Sequence, residues 1–226
     1  MDVLSEPLRV FIGYDKRQPI AFNTLAHSIW CNASRPLSVT RLNIDVLPMQ
    51  RKGLTEFTYS RFLVPYLSNF DGFSLFIDSD FICDGDIFDL LLHPILDSEA
   101  NVLVCQNKIK FEWPSLMLFN NRLCTKLTPE FVDNKDNILF DFAWADKIGE
   151  LPLEWNHLSN YDNPEDKIKA IHYTQGIPVW AETKDSNHSN IWFKYFKNST
   201  STVKYKELMG NSVHNKHVQE RLSKLK

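Results

Sequence analysis

The stretch Phe73–Ile77 reads FSLFI, and this almost wholly apolar run ends directly in Asp78-Ser79-Asp80. A strand this apolar is buried on both faces, which is typical of a parallel sheet covered by helices. Sheets of that kind bind ligands beyond the carboxyl ends of their strands. We therefore expect Asp78 and Asp80 to lie at the ligand-binding edge of an α/β sheet.

Other strand and helix signals alternate around this run, which indicates an α/β fold. Alternating or apolar β-rich segments predict strands over 8–12, 37–43, 101–106, 115–120 and 168–173. Helical patterns predict helices over 19–29, 59–67, 127–134 and 190–198. Pro19 suits a helix start, whereas Pro65 should kink or split the second helix. Thr128 is a suitable cap for the third helix.

Composition limits the class of protein. The chain has 226 residues, 43% of them hydrophobic and 13% aromatic, which suits one domain with a sizeable core. A formal net charge of −3 gives no overall attraction to nucleic acid, so no nucleic-acid partner is expected. The start lacks a signal-peptide pattern, and no run approaches the roughly 18 apolar residues of a membrane span. Four scattered cysteines read as buried thiols, and together these features predict a cytoplasmic protein.

The last part of the chain differs in charge from the rest. Residues 1–202 are expected to form the folded domain, and residues 203–226 a basic helical tail. That tail carries six Lys or Arg and two Glu, a net charge of +4. A solvated surface helix is the simplest interpretation, and contact with an anionic membrane surface or a lipid-linked acceptor is the alternative.

The spacing of the acidic pair suggests a ligand. Residues i and i+2 of an extended chain point to the same side, so both carboxylates can face one point. Two hard oxygen donors suit Mn²⁺ or Mg²⁺. A calcium-binding EF-hand loop is excluded, because Ile82 and Cys83 stand at its fifth and sixth positions. A solvated turn remains open, since Asp-x-Asp alone is a weak signal.

The segment LFIDSDFICDGDI at 75–87 resembles the DxD block of GT-A-fold glycosyltransferases, especially the glycosyltransferase family 8-like group. Three further blocks match in order: VFIGYD at 10–15, TEFTYSRFLVPYL at 55–67 and IHYTQGIPVW at 171–180. The resemblance implies a GT-A fold with a mixed, mostly parallel sheet flanked by helices. It also implies metal-dependent transfer of a sugar from a nucleoside diphosphate donor, most simply a UDP-sugar. The acceptor would be a hydroxyl of a glycan or lipid-linked molecule, and the transfer would retain configuration.

The resemblance further assigns roles to individual residues. Asp78 and Asp80, with His172 from the late block, would bind Mn²⁺ or Mg²⁺, and Asp78 alternatively contacts the ribose. Donor contacts are expected from a second group: Gly13, Tyr14, Asp15, Arg61, Asn120 and Gly176. In that group Tyr14 would stack on the base, Asp15 would accept a hydrogen bond from base or ribose, and Gly176 would bring backbone N–H groups near phosphate. Roles close to the reacting sugar are expected for Asp141 and for Asn156, beside Trp155.

Each of these roles has a plainer alternative. The segment at 13–15 can be an ordinary turn, Arg61 a helix-surface arginine, and His172 a hydrogen-bonded histidine at a strand end. Two other functions also stay open: a sugar- or nucleotide-binding protein without turnover, and a sugar nucleotidyltransferase. The second is disfavoured, because that class begins with a glycine-rich loop and GYDKRQPIAF contains one glycine.

Overall fold

The computed structural model of this chain describes residues 7–92 and 99–199. It contains nine strands: β1 (Leu8–Gly13), β2 (Leu37–Leu42), β3 (Phe73–Ile77), β4 (Phe81–Cys83), β5 (Val102–Val104), β6 (Leu116–Asn120), β7 (Ile148–Glu150), β8 (His157–Leu158) and β9 (Ala170–His172). Five α-helices accompany them: α1 (Pro19–Asn32), α2 (Val64–Leu67), α3 (Asp89–Leu92), α4 (Pro129–Asp133) and α5 (Ser189–Ser199). The basic tail predicted over 203–226 lies outside the described residues.

Six strands form the main sheet in the order β2-β1-β3-β6-β5-β7. β1 pairs in parallel with β2 and β3, and β5 pairs in parallel with β7. β6 runs antiparallel to both of its neighbours. The prediction of a mixed, mostly parallel α/β sheet is therefore confirmed. A second sheet holds β4, β9 and β8 in that order and abuts the carboxyl end of β3.

Both faces of the main sheet are covered, as the apolar β3 segment predicts. Leu75 and Ile77 pack on one side with Leu25 of α1, in a cluster that also includes Trp155. Phe76 packs on the opposite side in a second, aromatic-rich cluster. The side chains from Leu75 to Ile77 have no exposed surface. Burial on two faces explains why charged residues appear only where the strand leaves the core.

The helices largely follow the sequence signals. Pro19 begins α1, and the segment with Pro65 is split into a 3₁₀ turn (Ser60–Leu63) followed by α2. Thr128 caps α4 by accepting a hydrogen bond from the backbone N–H of Phe131 at 3.3 Å. Three of the four cysteines are buried, the exception being Cys31. Among the described residues, no helix combines the length and apolarity needed to cross a membrane.

Candidate functional site

Two short strands bring together residues that are distant in the sequence. Asp78 follows the last residue of β3, and Asp80 immediately precedes β4. β4 pairs antiparallel with β9, and this register sets Phe81 opposite His172. One ligand atom from each of Asp78, Asp80 and His172 lies within 4.8 Å of the others. The predicted convergence of two aspartates and a distant histidine is thus present, and we call these three residues the metal corner.

Asp78 is buried and paired with Arg61. The two side chains meet through two contacts, Nη2 to Oδ1 at 3.0 Å and Nη1 to Oδ2 at 3.2 Å. Nη1 also donates to the backbone oxygen of Pro114 at 2.8 Å. Burial raises the pKa of Asp78 to about 7, the charge of Asp80 acts in the same direction, and the guanidinium of Arg61 opposes the rise. Burial and the neighbouring carboxylate thus oppose ionisation of Asp78, and Arg61 favours it.

Arg61 is held inside the protein rather than on a helix surface. Only 7% of the residue is exposed. Its guanidinium carbon lies 5.0 Å from the ring centre of Phe76, 5.6 Å from that of Phe57 and 5.9 Å from that of Phe140. Aromatic faces attract a cation, so these rings and Asp78 fix the position of the arginine. The alternative of a helix-surface arginine is wrong.

Asp80 has the chemistry expected of a cation ligand. Its Oδ1 atom is buried and has no hydrogen-bond partner among the residues described. Nε2 of His172 lies 3.5 Å from that oxygen. A buried carboxylate oxygen without a donor is costly, and a divalent cation would satisfy it. Two carboxylates and an imidazole form a donor set that fits Mn²⁺ or Mg²⁺.

His172 is almost fully buried, with 2% of its surface exposed. Its ring stacks on Phe81, with 4.1 Å between centres and 19° between planes. Nδ1 lies 3.0 Å from Oδ1 of Asn156, which itself has no exposed surface. His172 is thus a hydrogen-bonded histidine at a strand end, and its second nitrogen faces Asp80. The sequence left open a structural histidine and a metal ligand, and this arrangement is compatible with both.

A cavity of about 280 Å³ opens beside the metal corner. Its lining combines the three corner residues with Arg61, an apolar rim and several polar groups: Leu54, Thr55, Phe57, Thr58, Phe111, Glu112, Pro114, Ser115, Phe140 and Thr174. Leu54 is 91% exposed and Phe111 is 55% exposed, so both stand at the mouth. A concave site with a few convergent polar groups is the usual form of a small-molecule site.

Five polar residues of this cavity were not predicted as site residues: Thr55, Thr58, Glu112, Ser115 and Thr174. Glu112 accepts a hydrogen bond from Ser115 at 3.0 Å and pairs with Lys110 at 2.7 Å. Thr174 contributes a buried hydroxyl for which the described part of the chain supplies no hydrogen-bond partner. Thr174 follows His172 by two residues, and that spacing was a usable signal. No local sequence pattern marks Glu112 and Ser115 as site residues, because they reach the cavity only through the tertiary position of the turn before β6.

The segment at 13–15 lies beside a second cavity, of about 220 Å³, which shares Leu54 and Thr55 with the first. Gly13 is packed so closely that an added Cβ would lie 2.7 Å from the ring of Phe57. Neither Tyr14 nor Asp15 is among the residues that line this second cavity, whereas Lys16 and Arg17 are.

The side chains of Tyr14 and Asp15 already contact other residues of the protein. The guanidinium of Arg41 lies 4.6 Å from the ring centre of Tyr14. Asp15 accepts hydrogen bonds from the backbone N–H and the side chain of Arg17, which holds the pKa of Asp15 below its ordinary value. A nucleoside would therefore have to displace or extend these contacts.

Asn120 does not reach the metal corner. Because β6 runs antiparallel to β3, Asn120 pairs with Phe73, at the edge of the sheet opposite Asp78. The expected contact between Asn120 and the donor sugar is corrected accordingly. The sequence indicates that 115–120 is a strand but carries no sign of its direction, and direction decides which end faces the site.

The remaining predicted residues occupy varied positions. Asp141 is exposed, next to Phe140 of the cavity, and its Oδ1 accepts a hydrogen bond from the backbone N–H of Ala143 at 2.9 Å. Asn156 and Trp155 are buried behind the corner rather than in the cavity. Gly176 has φ +115°, a conformation that glycine adopts readily, in the turn after β9. Of these four residues, none is part of the cavity lining.

No protein-family model matches the chain. Protein CDI of Arabidopsis thaliana is 30% identical to it over 224 residues, covering 83% of this chain and 85% of that protein. The chain belongs to the family of Protein CDI.

Solved structures similar to this member of the CDI family are glycosyltransferases. The apo structure of the bifunctional WbbM superposes with a TM-score of 0.62 at 15% identity, covering 96% of this chain and 52% of that one. GlyE of Streptococcus pneumoniae TIGR4 gives 0.62 at 15% identity, covering 95% and 64%. The galactosyltransferase LgtC, solved with donor and acceptor sugar analogues, gives 0.57 at 9% identity, covering 88% and 99%.

At these identities the likeness establishes the fold, which is the GT-A fold implied by the sequence blocks. The chain spans about half of the WbbM chain and under two thirds of the GlyE chain. Membership of glycosyltransferase family 8 in particular stays a prediction.

Proposed function

We propose that this protein is a metal-dependent glycosyltransferase that moves a sugar from a nucleoside diphosphate donor, most simply a UDP-sugar, to an acceptor hydroxyl. One observation carries the proposal: Asp78, Asp80 and His172 surround one point beside a cavity of about 280 Å³ at the ligand-binding edge of a GT-A sheet. The similarity to LgtC, whose structure holds donor and acceptor sugar analogues, supports the same kind of substrates here.

The metal corner fits a divalent cation, because its buried carboxylate oxygen lacks a donor and the described residues offer three suitable ligand atoms. Asp80 and His172 would be the main ligands, and Asp78 would contribute a second carboxylate or contact the ribose. When bound, Mn²⁺ or Mg²⁺ supplies Lewis-acid stabilisation of the negative charge that builds on the departing diphosphate. Arg61 adds positive charge and keeps the carboxylate of Asp78 in place.

The cavity residues then orient the sugar and its acceptor. Thr174 presents a hydroxyl and Glu112 a carboxylate, both suited to sugar hydroxyls. Leu54 and Phe111 at the mouth offer apolar surface to the faces of sugar rings. We assign the nucleoside end of the donor to the second cavity, which Lys16 and Arg17 line. Tyr14 and Asp15 precede them in the sequence without lining that cavity, and they remain proposed contacts.

Several finer points belong to the same proposal. The resemblance favours retention of anomeric configuration and a glycan or lipid-linked acceptor. Asp141 follows Phe140 of the cavity in the sequence, and it remains a proposed contact of the acceptor. A cytoplasmic location and membrane contact through residues 203–226 are also proposed; deleting that tail should then weaken binding to anionic vesicles.

A donor screen tests the proposal. Release of UDP or GDP from a panel of nucleotide sugars is measured with and without Mn²⁺, for the full chain and for Asp80→Asn. Metal-stimulated release from one donor, abolished in the variant, is expected. A chain that binds UDP but never splits a donor, with acceptors supplied, would instead be a nucleotide-binding protein. Proton NMR of the product then reports whether configuration is retained.

A further inference from the structure

The two ring nitrogens of His172 have different surroundings. Nδ1 lies 3.0 Å from Oδ1 of Asn156, and Nε2 lies 3.5 Å from Oδ1 of Asp80. Only a ring nitrogen that carries no hydrogen can bind a metal. In a neutral imidazole the hydrogen sits on one nitrogen or the other, so the group that meets Nδ1 decides whether Nε2 is a ligand.

The neighbours of Asn156 fix which way its amide points. Its Nδ2 donates to Oδ1 of Asn107 and to the backbone oxygen of Glu112, both at 3.1 Å. The amide of Asn107 is itself oriented, because its Nδ2 donates to the backbone oxygen of Asn156 at 3.0 Å. Because both of these neighbouring oxygens can only accept hydrogen bonds, the amide nitrogen of Asn156 must point toward them. The amide oxygen of Asn156 must then face His172. An oxygen opposite Nδ1 accepts a hydrogen from it and leaves the lone pair of Nε2 directed toward Asp80.

We propose that Asn156 is a positioning residue, which holds His172 in the tautomer and ring orientation that make Nε2 a metal ligand. Phe81 fixes the plane of the ring by stacking, and Asn156 fixes its rotation within that plane. Asn156 has no exposed surface, so it acts through His172 and does not touch the substrates. The inference rests on the proposed function, because it takes the metal corner as the site of the cation.

The first test compares Mn²⁺ affinity in the full-length wild type, Asn156→Ala and Asn156→Asp, by electron paramagnetic resonance of free Mn²⁺. Loss of a partner that orients a ligand typically weakens metal binding by roughly 10- to 100-fold, and this is expected for alanine. Aspartate keeps an oxygen opposite Nδ1 and should recover most of the affinity. If Asn156 only supported the fold, aspartate would be no better than alanine, because both lose the two hydrogen bonds made by Nδ2.

The second test reads the tautomer directly and needs no metal. In ¹⁵N-labelled wild type without metal, at a pH where the ring of His172 is neutral, that ring should show a hydrogen on Nδ1 and a bare Nε2. In Asn156→Ala the same signals should shift toward a mixture of the two tautomers. The assignment comes from comparison with His172→Gln.

Asn101→Ala is a matched control for loss of a buried amide. Asn101 is 3% exposed and accepts hydrogen bonds from the backbone N–H groups of Asp146 and Lys147. Its amide nitrogen donates to the backbone of Leu123, and its contacts include no residue of the metal corner. This variant should lose stability while its Mn²⁺ affinity stays that of the wild type.

The inference would be overturned by wild-type Mn²⁺ affinity in folded Asn156→Ala, by an aspartate variant as weak as alanine, or by a wild-type ring with a hydrogen on Nε2 and none on Nδ1. A wild type that binds no Mn²⁺ also overturns it. Failure of the proposed function looks different. In that case the chain binds Mn²⁺, the variants follow the expected order, and no nucleotide sugar is split.

Discussion

Four aspartates lie between residues 78 and 86, and they form two pairs with different surroundings. In the first pair, Oδ1 of Asp80 is buried without a hydrogen bond from the described residues and faces His172 beside a cavity. In the second pair, the protein supplies donors. Asp84 accepts a hydrogen bond from the hydroxyl of Tyr195 and pairs with Lys194 at 3.3 Å.

Asp86, the other member of the second pair, accepts hydrogen bonds from the backbone. Its Oδ1 accepts hydrogen bonds from the N–H groups of Ser34 and Phe88, at 3.2 and 3.1 Å. The two pairs look alike in the sequence, but the hydrogen-bond donors around their carboxylates differ. Protein donors satisfy the carboxylates of the second pair, and Arg61 donates to Asp78, whereas Oδ1 of Asp80 is left without a donor from the described residues. The comparison therefore supports the proposed ligand role for Asp80 above all, and it indicates a structural role for Asp84 and Asp86.

The largest expected effect comes from Asp80→Asn. Removing a cation ligand forfeits several kcal/mol of transition-state stabilisation, so metal-dependent turnover should fall by about 1,000-fold. The free energy of unfolding without metal should not fall, because an unneutralised charge is removed. The measurement is donor cleavage at saturating Mn²⁺, with a urea melt beside it. Asp84→Asn is the control, and equal losses of turnover in both variants would break the distinction between the pairs.

Next in size is the effect of Arg61→Met on stability. The variant leaves the buried carboxylate of Asp78 without its guanidinium partner, and removing one partner of a buried pair costs about 3 kcal/mol or more. Because the pKa of Asp78 is raised to about 7, urea unfolding should show this loss most fully above neutral pH, where the carboxyl group is ionised. The double variant with Asp78→Asn should recover part of it, and a double variant no more stable than the single one would argue against the pairing.

Metal itself should stabilise the chain to a similar degree. A ligand that binds only the folded state at about 100 times its dissociation constant adds about 2.7 kcal/mol. Mn²⁺ should therefore raise the melting temperature of the wild type and of Asp84→Asn, and EDTA should reverse the rise. Asp80→Asn should show little change. An equal rise in all three proteins would indicate a cation site elsewhere.

The smallest effect is expected at the structural pair. Tyr195→Phe removes a hydroxyl that donates to Asp84 and accepts from the amide of Asn32 at 2.7 Å. The loss should be about 1 to 2 kcal/mol of unfolding free energy, because two hydrogen bonds are removed and each is worth roughly 1 kcal/mol. Turnover and Mn²⁺ affinity should remain those of the wild type. A large loss of turnover would indicate that α5 contributes to the site, and it would contradict the purely structural role of the second pair.

Much of the fold could be predicted because its signals are local. The apolar run of β3, the proline at the start of α1 and the split at Pro65 each depend on adjacent residues. Strands β4, β7 and β8 were not predicted, because each has only two or three residues and, unlike β5 and β9, none lies within a longer strand-like run of the sequence. The direction of β6 was not predictable either. Because β6 runs antiparallel to β3, Asn120 lies at the end of the sheet away from the predicted site.

The site was predicted as far as recognisable sequence blocks extend. Asp78 and Asp80 follow from their spacing, and His172 from the resemblance of its block. The pairing of Asp78 with Arg61 inside an aromatic shell was not expected, nor was the contact of Asn156 with His172. Both depend on residues brought together by tertiary packing, and no local pattern in the sequence encodes such contacts.

Crystals of the full chain soaked with UDP and Mn²⁺, measured at the manganese absorption edge, test the central claim most directly. The account predicts one anomalous peak within bonding distance of an Asp80 carboxylate oxygen and Nε2 of His172, in contact with the diphosphate. A peak at Asp84 or Asp86, or UDP bound with no manganese between Asp80 and His172, would contradict it.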